Sequence, residues 1–285
     1  MNGFKNIFLF YLKKQLTSKS FFIITVVLAA GLSALTVLIG SAGAGGGQEM
    51  SADDGLYILS MILCMVTMVL IMLYSNSASG EIAFLKTNRI MEIFITSVKP
   101  LPLYLGINFA YCIAQLLQVG IVMLVIATVN AASGSQIAEM AGLILSNGNL
   151  GGVFAVFVVF LICGYFVYSF LNTALVSVVG RTEDISGITV PISFIAMIMY
   201  IVSMMVSVSG DSQLAAAASY IPFTSPSVMV TRYIYGYADI TQVVLSAAVI
   251  IAAAALIAVA GARFFAGGVN FYGTLKTYRK SKKHA

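Results

Sequence analysis

Residues 152–179 read GVFAVFVVFLICGYFVYSFLNTALVSVV, a run of 28 residues without a charged side chain. A helix needs about 20 apolar residues to cross the roughly 30 Å hydrocarbon core of a bilayer. Lipid offers nothing to an unpaired backbone amide, so an apolar run of this length is stable in a membrane as a helix. The stretch therefore predicts a membrane-spanning helix.

Five further runs meet the same criterion, near residues 21–40, 56–76, 104–130, 188–209 and 241–266. The whole chain of 285 residues is 60% apolar and 9% charged, whereas about 25% of the residues of a soluble domain are charged. The sequence has no polar stretch long enough for a soluble domain. We predict one all-α membrane domain over residues 1–285, with six transmembrane helices.

The first apolar run could also be a secretory signal, because SAGA at residues 41–44 is a plausible cleavage site. The run is longer than the 7–15 apolar residues of a signal peptide, and five more spans follow it. We therefore expect a retained span.

The basic residues predict the orientation of the spans. With the N-terminus inside the cell, 14 of the 15 Lys and Arg residues fall on the cytoplasmic side, and only Arg232 falls outside. Cytoplasmic loops carry this excess of basic residues. We predict a multi-pass protein of the cell membrane with both termini in the cytoplasm.

The N-terminal stretch 4–16 carries Phe4, Ile7, Phe8 and Tyr11 at helical spacing, with lysines elsewhere. This pattern predicts an interfacial helix on the inner leaflet. The alternative is a helical extension of the first span.

Residues 77–102 form the most informative connection, which follows the second span. Its apolar residues suit a short amphipathic surface helix, with charges at Lys86, Arg89 and Glu92, and prolines at 100 and 102 end it. Such a helix is a natural docking surface for a soluble partner. The alternative is a solvated loop that only reverses the chain.

The segment 215–237 before the last span is too short to cross the membrane and too apolar for an ordinary loop. Pro226 suits the first turn of a helix, and tyrosines are common at the headgroup level. We predict short helices that dip into the outer leaflet. Arg232 could then bind a lipid phosphate, although a solvated side chain is the simpler expectation.

The chain carries no recognisable catalytic constellation. Its one histidine is His284, the glycine run at 45–47 lacks the Lys and Ser/Thr of a phosphate loop, and Cys64, Cys112 and Cys163 lie at no metal-like spacing. We expect no metal or cofactor in this chain. Energy for transport would come from a partner or from an existing gradient.

Two sets of span residues are candidates for a substrate pathway. Amides at Asn108, Gln115, Gln118 and Asn172 either bond neighbouring helices or line a path. Met61, Met65, Met68 and Met72 share one helical face, where thioethers either adapt to varied apolar ligands or fill gaps in packing. The near absence of charge in the spans argues against ion transport.

Two motifs resemble those of type-2 ABC exporter permeases, in particular the NatB-like branch. RIMEIFITSVKP at 89–100, followed by Leu105-Gly106, is similar to the signature after span two. IPFTSP at 221–226, followed by Arg232 and Gly236, resembles the segment before the last span. Glu183-Asp184 followed by Pro191, and the tail residues 271–273, also fit.

There are three departures from that pattern. Leu85-Lys86 stands where the family has Glu-Lys, Gly106-Ile107 stands where it has Gly-Lys, and the external domain of NatB is absent. These departures weaken the case that the chain transports the substrate of NatB. They do not weaken the case for the permease architecture.

The resemblance implies a permease that pairs with a second copy or a paralogue and binds cytoplasmic ABC ATPase subunits, which carry ATP and magnesium. It makes Lys86, Arg89 and Glu92 ATPase-coupling residues, and Pro222, Phe223, Pro226 and Arg232 part of external re-entrant helices. The leading hypothesis is ATP-driven export of an amphipathic or hydrophobic cargo, such as a peptide or a drug-like molecule. The alternatives are sodium extrusion and an ATP-independent transporter or scaffold.

Overall fold

The structure is a computed structural model, and it describes residues 2–45, 52–97, 99–133, 150–179 and 184–268. Every regular element in these ranges is a helix, as predicted. The ten helices are α1 (Asn2–Leu16), α2 (Lys19–Gly45), α3 (Ala52–Thr87), α4 (Ile90–Ser97), α5 (Pro100–Ser133), α6 (Leu150–Val176), α7 (Ser186–Ser209), α8 (Gln213–Ala218), α9 (Ser225–Ile234) and α10 (Ile240–Gly268).

Five helices are long and apolar enough to cross a membrane, over Ser60–Thr87, Pro100–Val129, Gly151–Val176, Ser186–Val208 and Ile240–Gly268. The number becomes six if Phe4–Leu16 and Lys19–Ala34 are taken together as one bent span. The multi-pass helical membrane fold is therefore confirmed. The predicted runs at 104–130, 152–179, 188–209 and 241–266 agree with helices α5, α6, α7 and α10 to within a few residues.

Helices α1 and α2 meet at an angle of 57°, so α1 is not a straight extension of α2. Ser18 forms the break, because its hydroxyl accepts from the Phe21 amide (3.2 Å), as an N-cap residue does. Ile7 and Tyr11 are buried against α5, whereas Leu9 and Phe10 are exposed. The predicted apolar face of α1 thus packs on protein, and the exposed side is mixed.

Helix α3 extends 11 residues beyond the predicted end of the second span. The prediction began the connection at residue 77, but the Ser77 hydroxyl donates to the Leu73 carbonyl (2.7 Å) and the Ser79 hydroxyl to that of Asn76 (3.0 Å). Serine satisfies its own polarity within a helix by such bonds. The predicted surface helix is consequently divided, because its first half belongs to α3 and only its second half is α4.

Helix α6 is the centre of the bundle, and it packs mainly against α3, α10 and α9. Small residues allow the closest approaches, as expected for helices in lipid. A Cβ on Gly164 would lie 2.6 Å from the ring of Pro226, and one on Gly268 would lie 2.7 Å from the Ser177 hydroxyl. Helices α3, α6 and α10 all end on the same side of the bundle, and we call this side the α4 end. The opposite side is called the α9 end.

Several predicted features lie outside the described residues. They are most of the glycine-rich linker after α2, the basic tail beyond Gly268, residues 271–273 of the family resemblance, and Arg181 and Glu183 before α7.

Candidate coupling and transport sites

The α3–α4 junction contains the three predicted coupling residues in three different environments. Lys86 is fully buried, and its ammonium donates to the carbonyls of Ser177 and of Gly268 (2.7 Å to the latter). The prediction that Lys86 lies on an exposed surface helix is therefore wrong. The side chain turns inward because the helix C-termini beside it present unpaired carbonyls, which an ammonium satisfies well.

Arg89 and Glu92 are exposed at the same junction. Arg89 has a left-handed backbone (φ 57°), and its amide donates to the Lys86 carbonyl (3.0 Å), which closes the turn that ends α3. Glu92 lies in the first turn of α4, where a carboxylate is favoured by the helix dipole. Met91 is buried and anchors α4, whereas Ile93 is 70% exposed. Helix α4 thus presents a charged and apolar surface at this end of the bundle.

The predicted methionine face of α3 is exposed at one end and buried at the other. Met61 and Met65 are exposed, Met65 to 46%, whereas Met72 is buried and Met68 is half-buried. Cys64, beside them, is buried and lies 2.7 Å from the Ser227 hydroxyl of α9. Two of the four methionines therefore lie on the outer surface of the bundle, and no interior path is lined by the whole set.

The buried amides bond across helices. The Asn172 amide of α6 donates to the Ser75 hydroxyl (2.8 Å) and to the Asn76 side-chain carbonyl (3.2 Å) of α3. Asn108 of α5 donates to the Thr173 hydroxyl (3.2 Å) and accepts from Ser169, both on α6. This geometry matches the helix-bridging interpretation, and the pathway role of Asn172 stays a prediction.

Two other amides are only partly satisfied. Gln118 accepts from Tyr74 through its carbonyl, while its side-chain nitrogen and that of Gln115 have no hydrogen-bond partner among the described residues. Buried donors of this kind are costly to leave unpaired, so α5 carries spare hydrogen-bonding capacity on its buried side.

Helix α9 is almost wholly buried, and it packs against α3, α6 and α7. Pro226 at its start packs against Gly164 of α6. Phe223, in the turn before it, packs edge-on against Tyr168 (5.6 Å between centroids), whose hydroxyl donates to the Phe223 carbonyl (2.8 Å). Pro222 is half-buried in the same turn. The segment is therefore embedded in the protein bundle.

Arg232 is 3% exposed, so the expectation of a solvated side chain is wrong. Its Nε lies 2.9 Å and one terminal nitrogen 3.0 Å from the two carboxylate oxygens of Asp211, and the other terminal nitrogen donates to the Ser219 hydroxyl (2.9 Å). A guanidinium matches a carboxylate in this two-bond geometry. Asp211 follows the end of α7, so the pair ties α9 to that helix.

Glu81 and Lys14 form a pair that the sequence did not predict. Glu81 of α3 forms an ion pair with Lys14 of α1, and the Tyr111 hydroxyl lies 3.5 Å from its second oxygen. The Glu81 side chain is only 10% exposed. The helical spacing of Glu81 with the buried Ile82 and Leu85 was the available signal, but the prediction ended the second span at residue 76.

The long apolar helices and their close glycine contacts define a polytopic membrane protein whose interior is bridged by amides. Residues 47–263, most of the chain, match the profile of the ABC-2 family of transporter proteins. The chain therefore belongs to the ABC-2 family and is one of its membrane components.

Two relatives extend this finding without naming an activity. The chain is 28% identical over 200 residues to the uncharacterized protein YhaP of Bacillus subtilis, covering 67% of this chain and 45% of that protein. It is 27% identical over 195 residues to the uncharacterized protein MJ1024 of Methanocaldococcus jannaschii, again over 67% and 45%. The chain thus spans about half the length of these relatives. No solved structure matches it significantly.

Proposed function

We propose that this chain is the permease subunit of an ABC exporter and works with a separate ATP-hydrolysing subunit. The observation that carries the proposal is α4, a short helix at the α4 end of the bundle. It carries the exposed Glu92 beside the exposed apolar Ile93, and the exposed Arg89 directly precedes it. In a member of the ABC-2 family, a helix of this kind suits the docking of the ATPase. ATP and magnesium would bind to that partner.

The orientation of the chain follows from the same proposal. The α4 end faces the cytoplasm, as the basic residues of the loops favour, and the α9 end faces outward. Helix α1 then lies at the inner leaflet, with Lys5 and Lys13 exposed beside Leu9 and Phe10. Exposed lysines next to exposed apolar side chains suit the boundary between headgroups and acyl chains.

The segment α8–α9 is proposed to be a re-entrant element that enters from the outside. Pro226 packs on Gly164, 14 residues from the start of α6, which at 1.5 Å per residue is about 21 Å along that helix. The hydroxyl of Tyr235, at the end of α9, lies 3.4 Å from the Ser207 carbonyl oxygen near the end of α7. Irregular backbone is tolerated at membrane depth where it is buried in protein. In the turn before α9, Ser219 is buried, Pro222 and Phe223 are half-buried, and Ile221 is exposed.

The proposed cargo is amphipathic or hydrophobic, such as a peptide or a drug-like molecule. Uncharged spans and the exposed methionines of α3 support it. A second permease copy or paralogue would lie against that methionine face. Sodium extrusion is less well supported, because Glu81 lies six residues from the end of α3 and is paired with Lys14. The NatB-like branch therefore stays a proposal about architecture alone.

Co-purification with candidate ATPases tests the proposal. The wild-type chain should retain an ATPase in detergent, and the double variant Arg89→Glu with Glu92→Lys should lose most of it, because both exposed charges of the docking surface are reversed. Lys13→Glu, an exposed lysine on another helix, is the matched control and should retain the ATPase. If no ATPase is retained by the wild type, or if the double variant retains it and exports normally, the docking assignment is wrong.

A further inference from the structure

The C-terminal ends of three helices meet at Lys86. The lysine itself lies in the last turn of α3, and its ammonium bonds the Ser177 carbonyl, directly after α6, and the Gly268 carbonyl at the end of α10. These partners are 91 and 182 residues away along the chain. One side chain thus connects the ends of three spans.

The electrostatics of this point favour a cation. The last carbonyls of a helix lack intrahelical donors, and the helix dipole places partial negative charge there. Three such ends converge here, so an ammonium with its three N–H donors suits the position. Hydrogen bonds from a charged donor are stronger than those between neutral groups.

Gly268 makes the convergence possible. A Cβ at this position would lie 2.7 Å from the Ser177 hydroxyl and 2.9 Å from the Val178 side chain. Only a residue without a side chain lets the end of α10 approach the end of α6 this closely. The Gly268 carbonyl is thereby held within reach of Lys86.

The connection from Lys86 to α4 is short and well bonded. Only Asn88 and Arg89 separate α3 from α4. The Asn88 side-chain amide donates to the Phe84 carbonyl (2.9 Å), and the Glu92 amide donates to the Arg89 carbonyl (3.3 Å). The turn is thus hydrogen-bonded to both of the helices that it joins.

We propose that Lys86 is a positioning residue that fastens the ends of α3, α6 and α10 into one unit, so that a displacement of α4 moves all three spans together. The fastening stands on the geometry alone, whereas its use in transport rests on the proposed function. Lys86 acts from inside the bundle, distinct from the exposed docking charges of Arg89 and Glu92.

Distances between spin labels test the fastening without any ATPase. Labels are placed on cysteines at Phe84 of α3 and Ala266 of α10, both exposed near this end, in a chain whose native cysteines are replaced. We expect one narrow distance distribution in the otherwise unchanged chain, and a broader one with a longer component in Lys86→Met. Gly268→Ala should broaden the distance distribution similarly, because the added methyl group pushes the end of α10 away from the end of α6. This variant replaces Lys86→Met in the test if Lys86→Met fails to fold. Gly267→Ala, at an exposed neighbour, is the control. A narrow distribution in a folded Lys86→Met would overturn the fastening, and so would one in Gly268→Ala if Lys86→Met does not fold.

Transport measurements in the complex test the use of the fastening. Lys86→Met should retain the ATPase through α4, while the cargo exported per ATP hydrolysed falls about tenfold. A variant that merely lost folded protein would lower both quantities in proportion and leave their ratio unchanged. An unchanged ratio would therefore overturn the transmission role. If the wild type binds no ATPase, the proposed function fails, and the label distances still decide the fastening.

Discussion

Gly164 shows how a single small residue determines where α9 lies. A Cβ at this position would lie 2.6 Å and 2.8 Å from two ring carbons of Pro226, and 2.8 Å from the Ile71 side chain. Since a proline ring cannot rotate away, we expect Gly164→Ala to cost about 1–3 kcal/mol of stability from overpacking. The measurement is the unfolding midpoint in detergent.

Gly120→Ala is the matched control for this substitution. Gly120 is also within a span and is exposed, and a Cβ at this position would meet no atom within 4 Å. Both variants gain the same helix propensity, so their difference isolates the contact with α9. Equal midpoints for the two variants would contradict the packing of Pro226 on α6.

Arg232 illustrates what residue type cannot reveal. A lone external arginine in the sequence suggests solvent or lipid phosphate, whereas the folded chain pairs it with Asp211, 21 residues earlier. Asp211 keeps a third of its side chain exposed, while Arg232 is nearly inaccessible. The pair is therefore asymmetric, because loss of the carboxylate leaves a buried charge, and loss of the guanidinium leaves a carboxylate that water can still reach.

Helix α1 is attached to the spans by packing on α5 and by one ion pair. The Lys14 side chain is 45% exposed and Glu81 is 10% exposed, so the pair is worth about 1 kcal/mol or less. We expect Lys14→Met to raise amide hydrogen exchange in α1 by up to about fivefold, because Glu81 is left without this partner. Lys13→Met, one residue away and exposed, should leave exchange unchanged. Equal exchange in the two variants would show that packing alone holds α1.

The helix boundaries show where hydropathy reaches its limit. Hydropathy located the spans because a helix that crosses lipid must be apolar over its whole length and must satisfy its own backbone hydrogen bonds. It ended the second span too early, at 76 instead of Thr87, because the polar residues there are satisfied within the helix and the apolar ones after them face protein. An apolar residue that faces a neighbouring helix and one that faces lipid look the same in a sequence.

Long-range convergence is the part of the architecture that no local pattern contains. The motifs placed Lys86, Arg89 and Glu92 near one another, but the inward turn of Lys86 depends on Ser177 and Gly268, which are remote in sequence. The amides of α5 and α6 were identifiable as helix-bridging candidates, while their partners were not. Residue type thus predicts the chemistry of these contacts, whereas the packing of the bundle determines which residues form them.

The direction in which the whole bundle crosses the membrane decides which end a cytoplasmic partner can reach. Fourteen of fifteen basic residues favour a cytoplasmic α4 end. Under this proposed orientation Lys99 would lie inside and Gln213 outside, and both side chains are exposed. In intact cells, a membrane-impermeant maleimide should label Gln213→Cys at once and Lys99→Cys only after permeabilisation. The parent chain with its native cysteines replaced is the control for background labelling. The opposite pattern would invert the bundle, put α4 beyond the reach of a cytoplasmic ATPase, and so contradict the proposed function as well as the topology.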